Sequence, residues 1–114
     1  MFVELNLILG LTFDSVEASH DVITFHSKCG RKFLMYHEQD CCETVEIEDI
    51  VGDLSDLVGV PLLKAEERSE VNPNACESGT WTFYEFATIK GYVTIRWYGS
   101  SNGYYSESVS LVEA

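Results

Sequence analysis

Residues 92–98 set Val93, Ile95 and Trp97 on one parity and Thr94, Arg96 and Tyr98 on the other. Alternation with a period of two is the mark of a half-buried strand, because successive side chains on a strand point to opposite faces. The aromatic-rich stretch Thr80 to Ile89 precedes it, with the tight-hairpin signal Lys90-Gly91 between the two. A second turn signal, Ser101-Asn102-Gly103, leads into Tyr104 to Val112. Three strands joined in this way predict a C-terminal meander, and the rest of the chain must fold around it.

Thr44 to Ile50 alternates too, with Val45 and Ile47 against Glu46 and Glu48. Val16, Ile23 to Phe25 and Lys32 to Tyr36 read as three short strands separated by turns at Ser19-His20-Asp21 and Ser27 to Gly30. Residues 3–11 suit either a strand or a short helix, and Gly10 could close either. Gly52 to Gly59 reads as a helical turn or two: Asp53 suits the N-cap, Asp56 the first turn and Gly59 the position after the end. Pro61 blocks continuation, and Leu62 to Glu67 could form another strand. Ser69 to Gly79, with Asn72-Pro73-Asn74, is the one loop-rich stretch. No repeat or linker divides the chain. The expectation is therefore a single domain over 1–114, β-rich α+β. It is an antiparallel curved sheet of about six or seven strands with one or two short helices on a face.

Composition limits what such a domain can do. Of 114 residues, 46% are hydrophobic. A chain this long buries roughly two-thirds of its unfolded surface, so neither metal nor disulfide is needed for folding. The formal charge of −12, from 19 acidic and 7 basic residues, repels nucleic acid, anionic lipid and free nucleotides. Direct nucleic-acid binding is not expected, and a basic protein partner is favoured. Glu4 and Asn6 interrupt the apolar N-terminus, which lacks a basic flank, and no run is long enough to span a bilayer. These features predict a cytoplasmic setting, with Cys41 and Cys42 reduced and, as neighbours, not readily paired with each other. Cys29 and Cys76 read as small buried hydrophobes.

Residues 37–56 concentrate acid: Glu38, Asp40, Glu43, Glu46, Glu48, Asp49, Asp53 and Asp56, with no Lys or Arg between Lys32 and Lys64. The strings His37 to Cys42, Ile47 to Ile50 and Gly52 to Leu54 resemble an uncharacterised family of small proteins from phages and prophages. So do Trp81 to Tyr84, Ala87 to Gly91, Ile95 to Gly99 and Ser101 to Ser106. The likeness spans roughly residues 12–112. It implies a phage genome and a host-cytoplasm setting, and it carries over no catalytic residue.

Candidate chemistry must then come from the residues. His37 and Cys41, with Cys42 and Asp40 adjacent, could begin a zinc site, but no Cys-x-x-Cys supplies the remaining ligands. A turn in which side chains bind backbone groups is the plainer reading. His37 could also activate Cys41 as a nucleophile, though nothing like a nucleophile elbow surrounds it. Glu46 and Glu48, with Asp49 and Asp53 near, could hold magnesium for hydrolysis, yet no basic residue accompanies them. Glu43, Glu46, Glu48, Asp49, Asp53 and Asp56 could instead form a negative stripe that docks a basic protein. Trp97-Tyr98 and Tyr104-Tyr105 flank the Ser-Asn-Gly turn and could supply aromatic anchors. With Arg96 and Lys90, the residues Tyr98, Tyr104 and Tyr105 could alternatively line a pocket for a nucleotide-type signal. The function expected is non-enzymatic: a phage-encoded accessory protein, without a cofactor, that antagonises a host defence protein through its acidic surface. The alternatives are sequestration of a nucleotide signal and, more weakly, a metal-dependent enzyme using His37 and Cys41.

Overall fold

The computed structural model describes residues 1–114. Eight strands form two four-stranded antiparallel sheets. The first contains β1 (Phe13–Ala18), β2 (Val22–Ser27), β3 (Lys32–Tyr36) and β8 (Ser110–Glu113), in the order β1-β2-β3-β8. The second contains β4 (Thr44–Val51), β5 (Lys64–Val71), β6 (Ser78–Thr88) and β7 (Gly91–Ser101), in the order β4-β7-β6-β5. No helix is long and apolar enough to cross a membrane.

Each sheet is apolar on one face, so each can be stable only by covering that face. Phe13, Ile23, Phe25, Phe33 and Met35 of the first sheet and Phe86, Val93, Ile95 and Trp97 of the second are fully buried. The Phe25 and Phe86 rings meet edge to face at 5.6 Å, joining the two layers. Each such side chain contributes roughly 2 kcal/mol through burial. Two corners are stitched by backbone. The Ile47 amide donates to the His20 carbonyl at 2.8 Å, and the Gly59 amide donates to the Phe13 carbonyl at 2.9 Å. Leu57 and Leu62 close the second corner.

Several expectations are corrected. One curved sheet of six or seven strands becomes two sheets of four. The helices reduce to two 3-10 turns, Leu5–Ile8 and Leu54–Leu57. Asp53 caps the second turn as expected, accepting from the Ser55 amide at 3.0 Å, and Gly59 follows it with φ +85°. The Lys90-Gly91 hairpin joins β6 to β7, but β5 is the third strand on that side. Ser101-Asn102-Gly103 is a turn that leads away from β7 rather than back along it. Asn102 Oδ1 accepts from the Tyr104 amide at 2.9 Å, and the chain crosses to the other sheet, where β8 pairs with β3.

Gly99 makes that crossing possible. A Cβ there would lie 2.8 Å from both the Cβ and the carbonyl oxygen of Glu107. The 102–109 segment therefore rests directly on β7, and Glu107 pins it by accepting from Thr80 Oγ1 at 2.7 Å and from the Ser101 hydroxyl. Burial pushes the Glu107 carboxyl up, but the hydroxyls of Ser101, Thr80 and Ser78 outweigh it and hold the group below the usual carboxylate range.

The cysteines also depart from expectation. Cys29 and Cys76 are exposed rather than buried. Cys41 and Cys42 lie side by side in an exposed turn with their sulfur atoms in contact.

Candidate interaction surface

β4 is an edge strand, and a bulge controls which way its acids point. Glu46 stands opposite Tyr98 and Ile47 opposite Trp97; the register then shifts, so that Asp49 stands opposite Arg96 and Ile50 opposite Ile95. Strict alternation would turn Asp49 towards the core. The extra residue, Glu48, resets the phase, so that Ile47 and Ile50 both pack inward while Glu48 and Asp49 both reach solvent.

The register extends this acid strip across the outer face of the second sheet. One row runs Glu46, Tyr98, Trp81, Glu70, and the next runs Asp49, Arg96, Phe83, Arg68. The Trp81 and Tyr98 rings lie 5.5 Å apart. The Arg68 guanidinium sits 4.2 Å over the Phe83 ring and pairs with Glu70 at 3.0 Å. Glu48 accepts from Trp81 Nε1 at 3.1 Å and pairs with Arg96 Nε at 2.7 Å. The 72–76 loop reaches over one end of this face, where Asn72 meets Tyr98 and Ala75 lies beside Gly79; elsewhere the aromatic rings are flanked by carboxylates and backed by tethered guanidinium groups. Sequence reasoning missed Trp81, Phe83, Arg68 and Glu70 as members of the surface. The signal was available: the Lys90-Gly91 hairpin fixes Trp81 opposite Tyr98 and Phe83 opposite Arg96.

The other acids of the expected stripe lie elsewhere. Glu43 is 4% exposed. It accepts from His37 Nε2 at 2.8 Å, Gln39 Nε2 at 3.2 Å, the Asp40 amide at 3.0 Å and the Cys41 amide at 2.8 Å. Burial pushes its carboxyl up, yet the His37 hydrogen bond and the turn amides outweigh that and lower it to about 2. Asp53 caps its 3-10 turn, and the Ser55 amide and hydroxyl hold its carboxyl below the usual range. Asp56 is half-buried, and its carbonyl accepts from Thr88 Oγ1. Of the six acids expected to form one stripe, Glu46, Glu48 and Asp49 share this face; Glu43 is corrected from a surface acid to the hub of a buried turn.

The residues considered for a metal are committed to that turn. His37 Nδ1 donates to the Ser108 carbonyl at 2.6 Å while Nε2 faces Glu43, and the Cys41 sulfur lies against that of Cys42. No three His, Cys, Asp or Glu side chains are placed to hold a metal ion. The residues considered for a nucleotide are dispersed. Lys90 donates to the Val58 carbonyl at 2.7 Å. It lies eight residues along an extended strand from Tyr98, about 26 Å away. Tyr98 accepts from Asn72 Nδ2 at 2.9 Å. Tyr104 and Tyr105 pack edge to face at 5.1 Å in the crossing segment, with Tyr104 exposed. Tyr105 lines a groove of about 360 Å³ with Glu67, Thr82 and Glu107; Thr82 pairs with Trp97 on the inward parity, so the groove and Arg96 lie on opposite faces of the sheet.

No curated protein and no solved structure matches this chain. A family model described as a domain of unknown function, DUF7448, matches residues 6–111. Nearly the whole sandwich lies inside that match, so the chain belongs to the DUF7448 family.

Proposed function

We propose that this protein is a phage-encoded accessory protein that works in the host cytoplasm by docking a basic surface of a host defence protein and blocking it. The observation that carries the reading is the outer face of the second sheet, where the exposed Glu46, Glu48 and Asp49 border the half-exposed Tyr98, Trp81 and Phe83. Aromatic anchors ringed by carboxylates suit a cationic protein surface: the acids steer the encounter and the rings supply desolvated contact. The phage setting draws on the resemblance of the His37 to Cys42 and C-terminal strings.

The test uses capture of host proteins at low and at moderate salt, with the double variant E46K/D49K beside the wild type. Both positions are exposed, so the variant keeps the fold. A partner retained by the wild type at low salt and lost to the variant, with affinity falling about tenfold or more, supports the reading. Capture that is indifferent both to salt and to the two lysines overturns it.

A further inference from the structure

We propose that two copies of this chain pair antiparallel along β5, in the register centred on Glu67 of each copy, and so join their second sheets into one continuous sheet. The inference concerns the edge opposite β4 and does not rest on the docking surface proposed above.

β5 pairs only with β6. The Asn72 amide donates to the Gly79 carbonyl at 2.8 Å, which marks that pair as a hydrogen-bonded one. Pairs alternate in kind along an antiparallel ladder, so Lys64, Glu66, Arg68 and Glu70 bond to β6. The backbone N–H and C=O groups of Ala65, Glu67, Ser69 and Val71 therefore point away from the sheet. None of these outward groups has a partner within the chain. Every residue from Glu66 to Val71 is exposed. An open ladder of this length is a template for another strand.

The side chains select which strand. On the outer face, β5 reads Lys64, Glu66, Arg68, Glu70, alternating in sign. Laid antiparallel on itself about Glu67, this series sets each Lys64 opposite a Glu70 and each Glu66 opposite an Arg68. The outward odd-numbered residues then meet one another, as the hydrogen bonds require. Slipping the register by two residues one way opposes Arg68 to Arg68 and Glu66 to Glu70. Slipping it the other way opposes Glu66 to Glu66 and Lys64 to Arg68. Opposite charges across a strand pair attract and like charges repel, so one full-length register is selected. That register also puts Val71, 76% exposed, at each end of the joined ladder. Its one like-charge pair is Glu67 against Glu67 at the centre.

The test is a charge swap read by sedimentation equilibrium of the full chain. The wild type should show a concentration-dependent monomer–dimer equilibrium. Glu66→Arg alone places Arg opposite Arg68, and Arg68→Glu alone places Glu opposite Glu66. Each should weaken self-association by about tenfold or more. An equimolar mixture of the two variants restores both opposite-charge pairs and should form the heterodimer with near wild-type affinity. That rescue also shows that each variant is folded. Glu67→Gln should tighten the wild-type dimer. A wild type that stays monomeric at millimolar concentration, single variants that associate as the wild type does, or a mixture that stays monomeric each overturns the proposal.

Discussion

Glu43 shows how one carboxylate organises a turn. Within seven residues the chain supplies His37, Gln39 and the amides of Asp40 and Cys41 as donors to it. Both His37 ring nitrogens face oxygen atoms, Nδ1 the Ser108 carbonyl and Nε2 the Glu43 carboxylate. Removing the carboxylate leaves buried donors without partners, which is why the cost exceeds that of an ordinary surface change. Glu43→Ala is therefore expected to lower the thermal midpoint clearly. Glu46→Ala, on the exposed face of the same strand, should stay within about 0.5 kcal/mol of wild type. The sign of the pH dependence follows from the lowered Glu43 carboxyl. It sits at about 2 when folded against an ordinary 4.5, so its stabilisation is present above 4.5 and is lost as pH falls towards 2. Thermal melts across that window should fall more steeply for the wild type than for Glu43→Gln. Equal slopes would show that the carboxylate is not held in this way.

At the scale of elements, the contact between β7 and the crossing segment is the most exacting. A methyl group at Gly99 has no room, since the Glu107 backbone lies 2.8 Å from where it would stand and Val45 Cγ2 lies at 3.1 Å. Gly99→Ala should cost roughly 1–3 kcal/mol, read as a lower denaturant midpoint with an unchanged slope. An unchanged midpoint would mean that the segment does not rest on β7. The strands themselves were legible: the alternation at Val93, Ile95 and Trp97 and the Lys90-Gly91 hairpin both stand in the structure. The destination of residues 104–112 was not. A Ser-Asn-Gly turn looks alike whether it closes a hairpin or starts a crossing, and the deciding contact, Gly99 against Glu107, is non-local. The candidate surface was legible to the same degree. Glu46 and Glu48 follow from alternation, Asp49 needs the bulge, and Glu43 is withdrawn by donors that local pattern does not reveal as convergent.

For the molecule as a whole, the balance of charge matters more than any single pair. Of the seven basic residues, Arg31, Lys64, Arg68 and Arg96 are in ion pairs with Glu113, Glu85, Glu70 and Glu48. The Arg31–Glu113 pair is two-pronged, at 2.8 and 2.9 Å. Pairing on that scale leaves most of the 19 carboxylates without a Lys or Arg partner on a body of 42 × 26 × 21 Å. The Debye length is about 10 Å at 0.1 M salt and about 30 Å at 0.01 M, so repulsion acts across the fold at low ionic strength and is screened at higher. The compact state suffers more from that repulsion than an expanded chain does. Thermal stability should therefore rise as sodium chloride is raised from about 10 mM to about 200 mM, even though the exposed ion pairs weaken over the same range. Melting curves at fixed pH and protein concentration measure the balance directly. A midpoint that falls with salt would mean that the local pairs outweigh the excess negative charge.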